Sequence, residues 1–142
     1  MLETIVGERF VLRRESDLLV YNSDGLPGYR RMPRLAVFPG TREETIDVVR
    51  ALASNGTAFV PRGAGTGLSG GALADGVVLL GLHRLKRVIS IDQENLRATV
   101  EPGVVNLRLN RMVAPLGLLY APDPSSEAAC TIGGNVAENA GG

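Results

Sequence analysis

In this 142-residue chain the residues best placed to do chemistry are glycines rather than acids or bases. From Val60 to Leu73 the sequence reads Val-Pro-Arg-Gly-Ala-Gly-Thr-Gly-Leu-Ser-Gly-Gly-Ala-Leu, so Gly63, Gly65, Gly67, Gly70 and Gly71 are separated only by Ala64, Thr66, Leu68 and Ser69. The N–H groups of such a backbone can turn inward with no side chain in the way, and successive amides then form a concave anion site. Arg62 adds one fixed positive charge beside it. A diphosphate needs these features, and the stretch is expected to be a nucleotide cradle.

Two known phosphate motifs can be tested against it. A Walker loop requires a Lys-Ser/Thr pair after the last glycine, and here Gly71 and Ala72 stand instead. Gly65, Gly67 and Gly70 do fit G-x-G-x-x-G, with Asp92 at about the separation of a ribose-binding acid. That fingerprint, however, opens the helix of a βαβ crossover about ten or more residues long. Gly71 is followed by Ala-Leu-Ala-Asp-Gly and then by the apolar Val77-Val-Leu-Leu80, which leaves no room for a helix. The loop is expected to join strand to strand, its amides serving an anion without a helix dipole behind them.

A second glycine-rich stretch runs from Tyr120 to Gly142. Small residues at Ala128, Ala129, Cys130, Gly133, Gly134, Ala137, Ala140, Gly141 and Gly142 leave space along a surface, while Thr131, Asn135 and Asn139 offer neutral hydrogen bonds. Such a surface suits a planar ring with polar edges; a plain loop could share the composition. Cys130 has no cation beside it to lower its pKa and reads as a small packed residue.

Length and composition bound the rest. The chain has room for one modest domain. Fifteen basic and fifteen acidic side chains balance, so nothing points to nucleic acid or an anionic membrane as partner. One cysteine rules out an intrachain disulfide and suits a reducing compartment. The N-terminus has no basic, apolar leader pattern, and no run of about 18 apolar residues appears, so a soluble cytoplasmic protein is the default.

Several elements must position the two stretches. Ile5, Val6, Phe10 and Val11 or Leu12 give a helix signal over residues 3–14, and Leu18 to Tyr21 reads as a short strand or extended piece stopped by the turn cluster Asn22 to Gly25. Arg30, Arg31 and Arg34 suit a solvated loop face or, alternatively, a cofactor or substrate contact. Leu35 to Phe38 is an apolar strand. Thr41 and Glu44 form a capping box, and Ile46, Val49, Leu52 and Ala53 mark one face of a helix ended by Asn55-Gly56. Thr57 to Val60 is the strand that feeds the glycine loop. Lone His83 has no metal-spaced companion. Val88 to Ile91 and Leu96 to Val100 flank a turn and predict an antiparallel hairpin with Leu96, Ala98 and Val100 on its buried face. Val105, Leu109, Met112 and Val113 predict a helix stopped by Pro115 and Gly117.

Taken together, Pro61 to Ala72 and Ala121 to Gly142 resemble the FAD-linked oxidases of the vanillyl-alcohol oxidase type, and within them the glycolate oxidase D-subunit family. The likeness extends upstream to Tyr21-Asn-Ser-Asp-Gly-Leu-Pro-Gly-Tyr-Arg and Val37-Phe-Pro. It implies an α/β (α+β) fold, the N-terminal part of such an FAD-binding domain, with a small parallel sheet, helices and an antiparallel portion. Residues 1–34 would be a helical or irregular N-terminal segment and 35–142 the FAD-binding domain, truncated at its C-terminus. The resemblance implies that residues 62–71 hold the FAD pyrophosphate through N–H groups, and that Pro122, Asp123, Pro124 and Ser125, with Thr131, Ile132, Gly133, Gly134, Asn135, Ala137, Asn139, Gly141 and Gly142, line the flavin and ribityl portion. Many relatives tether their flavin to a histidine in the first loop; none stands here, which implies noncovalent FAD. It also implies oxidation of a small 2-hydroxy acid, glycolate first, with D-lactate or D-2-hydroxyglutarate as alternatives. No catalytic residue is expected within the chain, since the family gives Asp123 and Glu138 no such role. Companion subunits with FAD or iron–sulfur clusters are implied as partners, through which the protein could lie peripheral to a membrane without inserting. Taken alone, the 142 residues are expected to be inactive and to hold FAD weakly, as a noncatalytic nucleotide-binding module.

Overall fold

The computed structural model describes residues 1–26 and 28–140. Four strands, β1 (Val11–Leu12), β2 (Leu35–Val37), β3 (Phe59–Arg62) and β4 (Val78–Gly81), form the main sheet in the order β1-β2-β4-β3. β2, β4 and β3 are mutually parallel, with Ala36 beside Leu79 and Arg62 beside Gly81, and β1 is an antiparallel edge. A parallel sheet covered on both faces needs nearly continuous apolar strands. β2 and β4 meet that requirement, every residue of both being buried.

The alternation along β2 and β4 separates two cores. Leu35, Val37, Val78 and Leu80 pack against Leu2 and Val6 of α1 (Leu2–Val6) and Val48 and Leu52 of α3 (Arg42–Ser54). Ala36, Phe38 and Leu79 face the other way, toward Leu18 of α2 (Glu15–Leu18) and Ala74. Between β3 and β4 lie residues 63–77, without helix or strand, so the glycine loop joins strand to strand as its spacing predicts and is itself the crossover.

α3 begins where the capping residues predict. Thr41 Oγ1 accepts from the Glu44 N–H at 3.0 Å, while the Glu44 carboxylate reaches back one residue further than in the ordinary box and accepts from the Gly40 N–H at 2.6 Å. Its buried face centres on Val48 and Leu52; Ile46 and Val49 are only half-buried, and Ala53, expected inside, is exposed. Replacing Thr41 with Ala is expected to lower stability by about 1 kcal/mol in urea denaturation, the usual cost of a lost N-cap oxygen.

Elsewhere the N-terminal expectations fail. The helix predicted over 3–14 stops at Val6, because Gly7 turns the chain at φ 86°; a 3₁₀ turn follows, and Val11 and Leu12 pair with Val37 and Ala36. Leu18 to Tyr21 is helical rather than extended. A helical turn buries Leu18 while leaving Leu19 and Val20 in solvent, and the edge place on β2 is already filled by β1.

The antiparallel hairpin is present as β5 (Val88–Asp92) and β6 (Arg97–Val100), but it stands apart from the main sheet. Leu96, expected on the buried face, occupies the turn at φ 54° and is 73% exposed; Ala98 is exposed too. Only Val88, Ile91 and Val100 pack inward, onto Val104 and onto Leu109 and Val113 of α4 (Asn106–Val113). Met112 lies outside that face. Gly117 ends the following 3₁₀ turn in the left-handed region at φ 71°.

Candidate cofactor site

β3 delivers Arg62 to the start of the glycine loop and buries it to 8% exposure. Its guanidinium packs against the loop: Nη1 donates to Tyr21 O and Ala72 O, each at 3.3 Å, and Cζ sits 5.8 Å from the centre of the Tyr21 ring. Burial pulls the Arg62 pKa down, opposed by the negative charge of Asp24. Gly65, at φ 72°, packs directly on this guanidinium where any Cβ would collide with it.

The second stretch is shaped by α4 and by the end of β6. Asn106, fully buried, donates from Nδ2 to Pro122 O at 2.8 Å, and its backbone N–H donates to Cys130 O at 3.1 Å. Thr131 then caps α5 (Ile132–Ala137), its Oγ1 accepting from the Gly134 N–H at 3.3 Å. The Gly133 N–H donates to Pro102 O at 2.8 Å, and a Cβ on Gly133 would stand 2.6 Å from Pro102 Cβ, so only glycine lets α5 sit this close. Glu101, just before that proline, is buried and accepts from the Arg87 backbone N–H at 2.7 Å and from its Nε at 2.9 Å.

Those bonds, chiefly from the Arg87 side chain, hold the Glu101 carboxyl below the usual carboxylate range. A folded-state pKa below the unfolded one means that the pair stabilises fully above about pH 4.3, the unfolded value, and that this contribution fades as pH falls through the folded value. Glu101→Gln is therefore expected to flatten the acid limb of the stability curve, measured by urea denaturation from pH 7 to 3. Equal slopes for both proteins would contradict this role.

The two glycine-rich stretches meet. Gly63 lies flush under Thr131 Oγ1, and Ser126 Oγ donates to Thr66 Oγ1 at 3.5 Å. Between them opens a cavity of about 470 Å³. Of the expected site residues, Arg62, Gly63, Ala64, Gly65, Thr66, Gly67, Leu68 and Gly71 line one wall, and Pro124, Ser125, Thr131, Gly133, Gly134, Asn135 and Ala137 the other. Ser69, Gly70, Pro122, Asp123, Ile132 and Asn139 are not among the lining residues: Gly70 turns the loop at φ 80°, Pro122 is held by Asn106, and Ile132 packs against Val104 and its neighbours. Gly141 and Gly142 lie outside the described residues. Pro61, Ala72, Leu82, Pro102, Ser126, Cys130, Glu138 and Ala140 also line the cavity and were not among the expected site residues. Ser126 and Glu138 stood inside the second motif and could have been read from it; Leu82 and Pro102 arrive from other elements and left no local signal. Cys130 is buried and packed, as expected.

The walls present donors in need of acceptors. Among the described residues, no intramolecular hydrogen bond takes up the N–H groups from Ala64 to Ala72. Asn135 is 5% exposed, yet its Nδ2 has no partner among the described residues. A buried donor left unpaired is costly, and an acceptor-rich guest resolves the cost. A flavin dinucleotide, with its diphosphate oxygens and polar ring edges, fits this donor set. Among the described residues no group of acids, histidines or cysteines could hold a metal ion, and no helix is long and apolar enough to cross a membrane.

A mixed sheet whose helix-free crossover lines one cavity together with a second glycine-rich stretch is the architecture of an FAD-binding domain of the vanillyl-alcohol oxidase type. Residues 33–142 match the family model described as FAD binding domain, and the chain belongs to that family. It is 47% identical over 133 residues to glycolate oxidase subunit GlcD of Escherichia coli K12, covering 93% of this chain and 27% of that one. It is 32% identical over 142 residues to D-2-hydroxyglutarate dehydrogenase of Stutzerimonas stutzeri, covering 99% and 31%. The structure of p-cresol methylhydroxylase with substrate bound superposes with a TM-score of 0.82 at 25% identity, covering 95% of this chain and 27% of that one. The chain thus spans roughly 27% to 31% of these proteins. FAD is the cofactor of this family.

Proposed function

We propose that this chain supplies the FAD-holding part of a flavin-dependent oxidoreductase that converts glycolate, or a closely similar small 2-hydroxy acid, to the 2-oxo acid. The observation that supports it is the convergence of the two glycine-rich stretches on one cavity with unpaired amides, in a chain 47% identical to a glycolate oxidase subunit. FAD, when bound, supplies the chemistry by accepting the hydride equivalent that leaves the alcohol carbon. The chain's own residues bind and orient. N–H groups from Gly63 to Gly71 face the negative diphosphate, Asn135 Nδ2 donates to a flavin or ribityl acceptor, and Gly133 and Gly134 keep the ring's side free of side chains. Pro124 and Ser125 close the far rim. Arg62, its Nη1 held by Tyr21 O and Ala72 O, adds a positive charge beside the diphosphate.

A D-2-hydroxyglutarate dehydrogenase is the second reading, favoured by the Stutzerimonas relative. Under either, companion subunits and an electron acceptor complete the reaction, in keeping with the word subunit in the first relative's name. The protein expressed from its complete reading frame is expected to lose its oxidised flavin absorbance under anaerobic glycolate. An unchanged spectrum with glycolate and D-lactate alike would overturn the proposal, and bleaching by D-2-hydroxyglutarate alone would favour the second reading. No histidine stands in the first loop, so acid precipitation is expected to leave the yellow colour in the supernatant; colour carried into the pellet would show a covalent link.

A further inference from the structure

The segment from Tyr21 to Gly25 lines no part of the cavity, yet it touches Arg62 and the glycine loop. Arg62 Nη1 donates to Tyr21 O. The Gly25 N–H donates to Gly67 O at 3.1 Å. A Cβ on Gly25 would stand 3.0 Å from Gly67 O and closer still to Thr66 O, so the segment and the loop touch backbone to backbone. Asp24 Oδ1 accepts from the Leu26 N–H at 2.9 Å and closes the turn that presents Gly25.

These contacts set the direction of two peptide groups. In a planar trans peptide the C=O and the following N–H point opposite ways. With the carbonyls of Thr66 and Gly67 turned toward Gly25, the N–H groups of Gly67 and Leu68 must point away from it, and both residues line the cavity, which Tyr21 to Gly25 do not. We infer that Tyr21 to Gly25 is a positioning segment that aims the Gly67 and Leu68 amides at the bound diphosphate. Without it the glycine-rich loop would be free to flip either peptide and present a carbonyl to the anion. Gly25 is required there for the close approach, its φ lying outside the left-handed region.

The inference rests on the FAD reading of the cavity, and the test separates the two. Gly25→Ala is compared with wild type in the protein expressed from its complete reading frame, stripped of flavin and titrated with FAD and with riboflavin, which carries no phosphate. Displacing two charge-assisted hydrogen bonds is expected to raise the Kd for FAD about tenfold or more while leaving riboflavin within about twofold. A purely structural defect would weaken both ligands together, and that result, or equal FAD affinity in the two proteins, overturns the inference alone. A wild-type protein with no affinity for FAD overturns the reading of the site and the inference with it. Should the variant not fold, hydrogen exchange on the wild type decides. Coupling is reciprocal, so FAD must slow exchange of the Gly25 N–H although the ligand does not touch it. Unchanged exchange there would contradict the positioning role.

Discussion

Gly63→Val is expected to strip the protein of FAD, raising the Kd about a hundredfold, or roughly 2.7 kcal/mol of binding energy. Gly63 is not in the left-handed region, so its backbone accepts a larger residue; the space around it does not. An added Cβ would lie 3.5 Å from Thr131 Cβ and 3.7 Å from Thr131 Cγ2, and it would collide outright with Thr131 Oγ1. Either the loop retreats, turning its amides off the anion, or Thr131 yields, and its hydroxyl is the N-cap of α5. Both responses separate the two walls. The measurement is the flavin-to-protein absorbance ratio after gel filtration, followed by titration of the stripped protein. Because the two cores of the sheet are untouched, the stripped variant should melt close to wild type that has likewise been stripped of FAD. A variant that keeps its flavin would show that the two stretches do not act as one site.

Asn106→Leu is expected to cost about 1–3 kcal/mol of folding stability in urea denaturation, with weaker FAD binding as a consequence. Leucine nearly matches the volume, so the loss is one of hydrogen bonding. Asn106 Nδ2 alone holds Pro122 O among the described residues, and its Oδ1 accepts from Asn110 Nδ2 at 3.3 Å. Asn110 in turn accepts the Tyr120 N–H at 2.7 Å. The amide pair therefore carries the entry of the second stretch on one face of α4. Removing the first member leaves the carbonyl of half-buried Pro122 without its donor and frees Pro122 to Ser125. Unchanged stability would show that solvent satisfies Pro122 O as well as Asn106 does.

Local features were the legible ones. The interval between Gly71 and Val77 was too short for a helix, and this alone separated the loop from a Rossmann turn. Asp92, which matched the ribose-acid spacing, instead closes the hairpin turn by accepting from the Asn95 N–H at 3.0 Å, as a turn cluster should. The Thr41 cap, the hairpin and the helix after Val105 were similarly readable, each being decided within a few residues.

What escaped the sequence depends on partners far along the chain. Arg62 read as a charge beside the loop, but the sequence held no sign that its Nη1 would also be held by carbonyls from residues 21 and 72. Leu18 to Tyr21 looks extended by composition; burying Leu18 under Ala36 and Leu79 favours a helical turn there, a tertiary preference with no local trace. Leu96 fits an alternating strand until the turn claims it. Asn106 and Glu101 are ordinary polar residues in sequence, and their importance lies in Pro122 and Arg87, which only the fold brings near.

The most direct test is a crystal structure of the protein with FAD bound. Diphosphate oxygens should lie about 3 Å from backbone nitrogens between Gly63 and Gly71, with the flavin along Thr131 to Ala140 in the same cavity. A diphosphate bound away from the first stretch, or a flavin that leaves the second stretch untouched, would contradict the account.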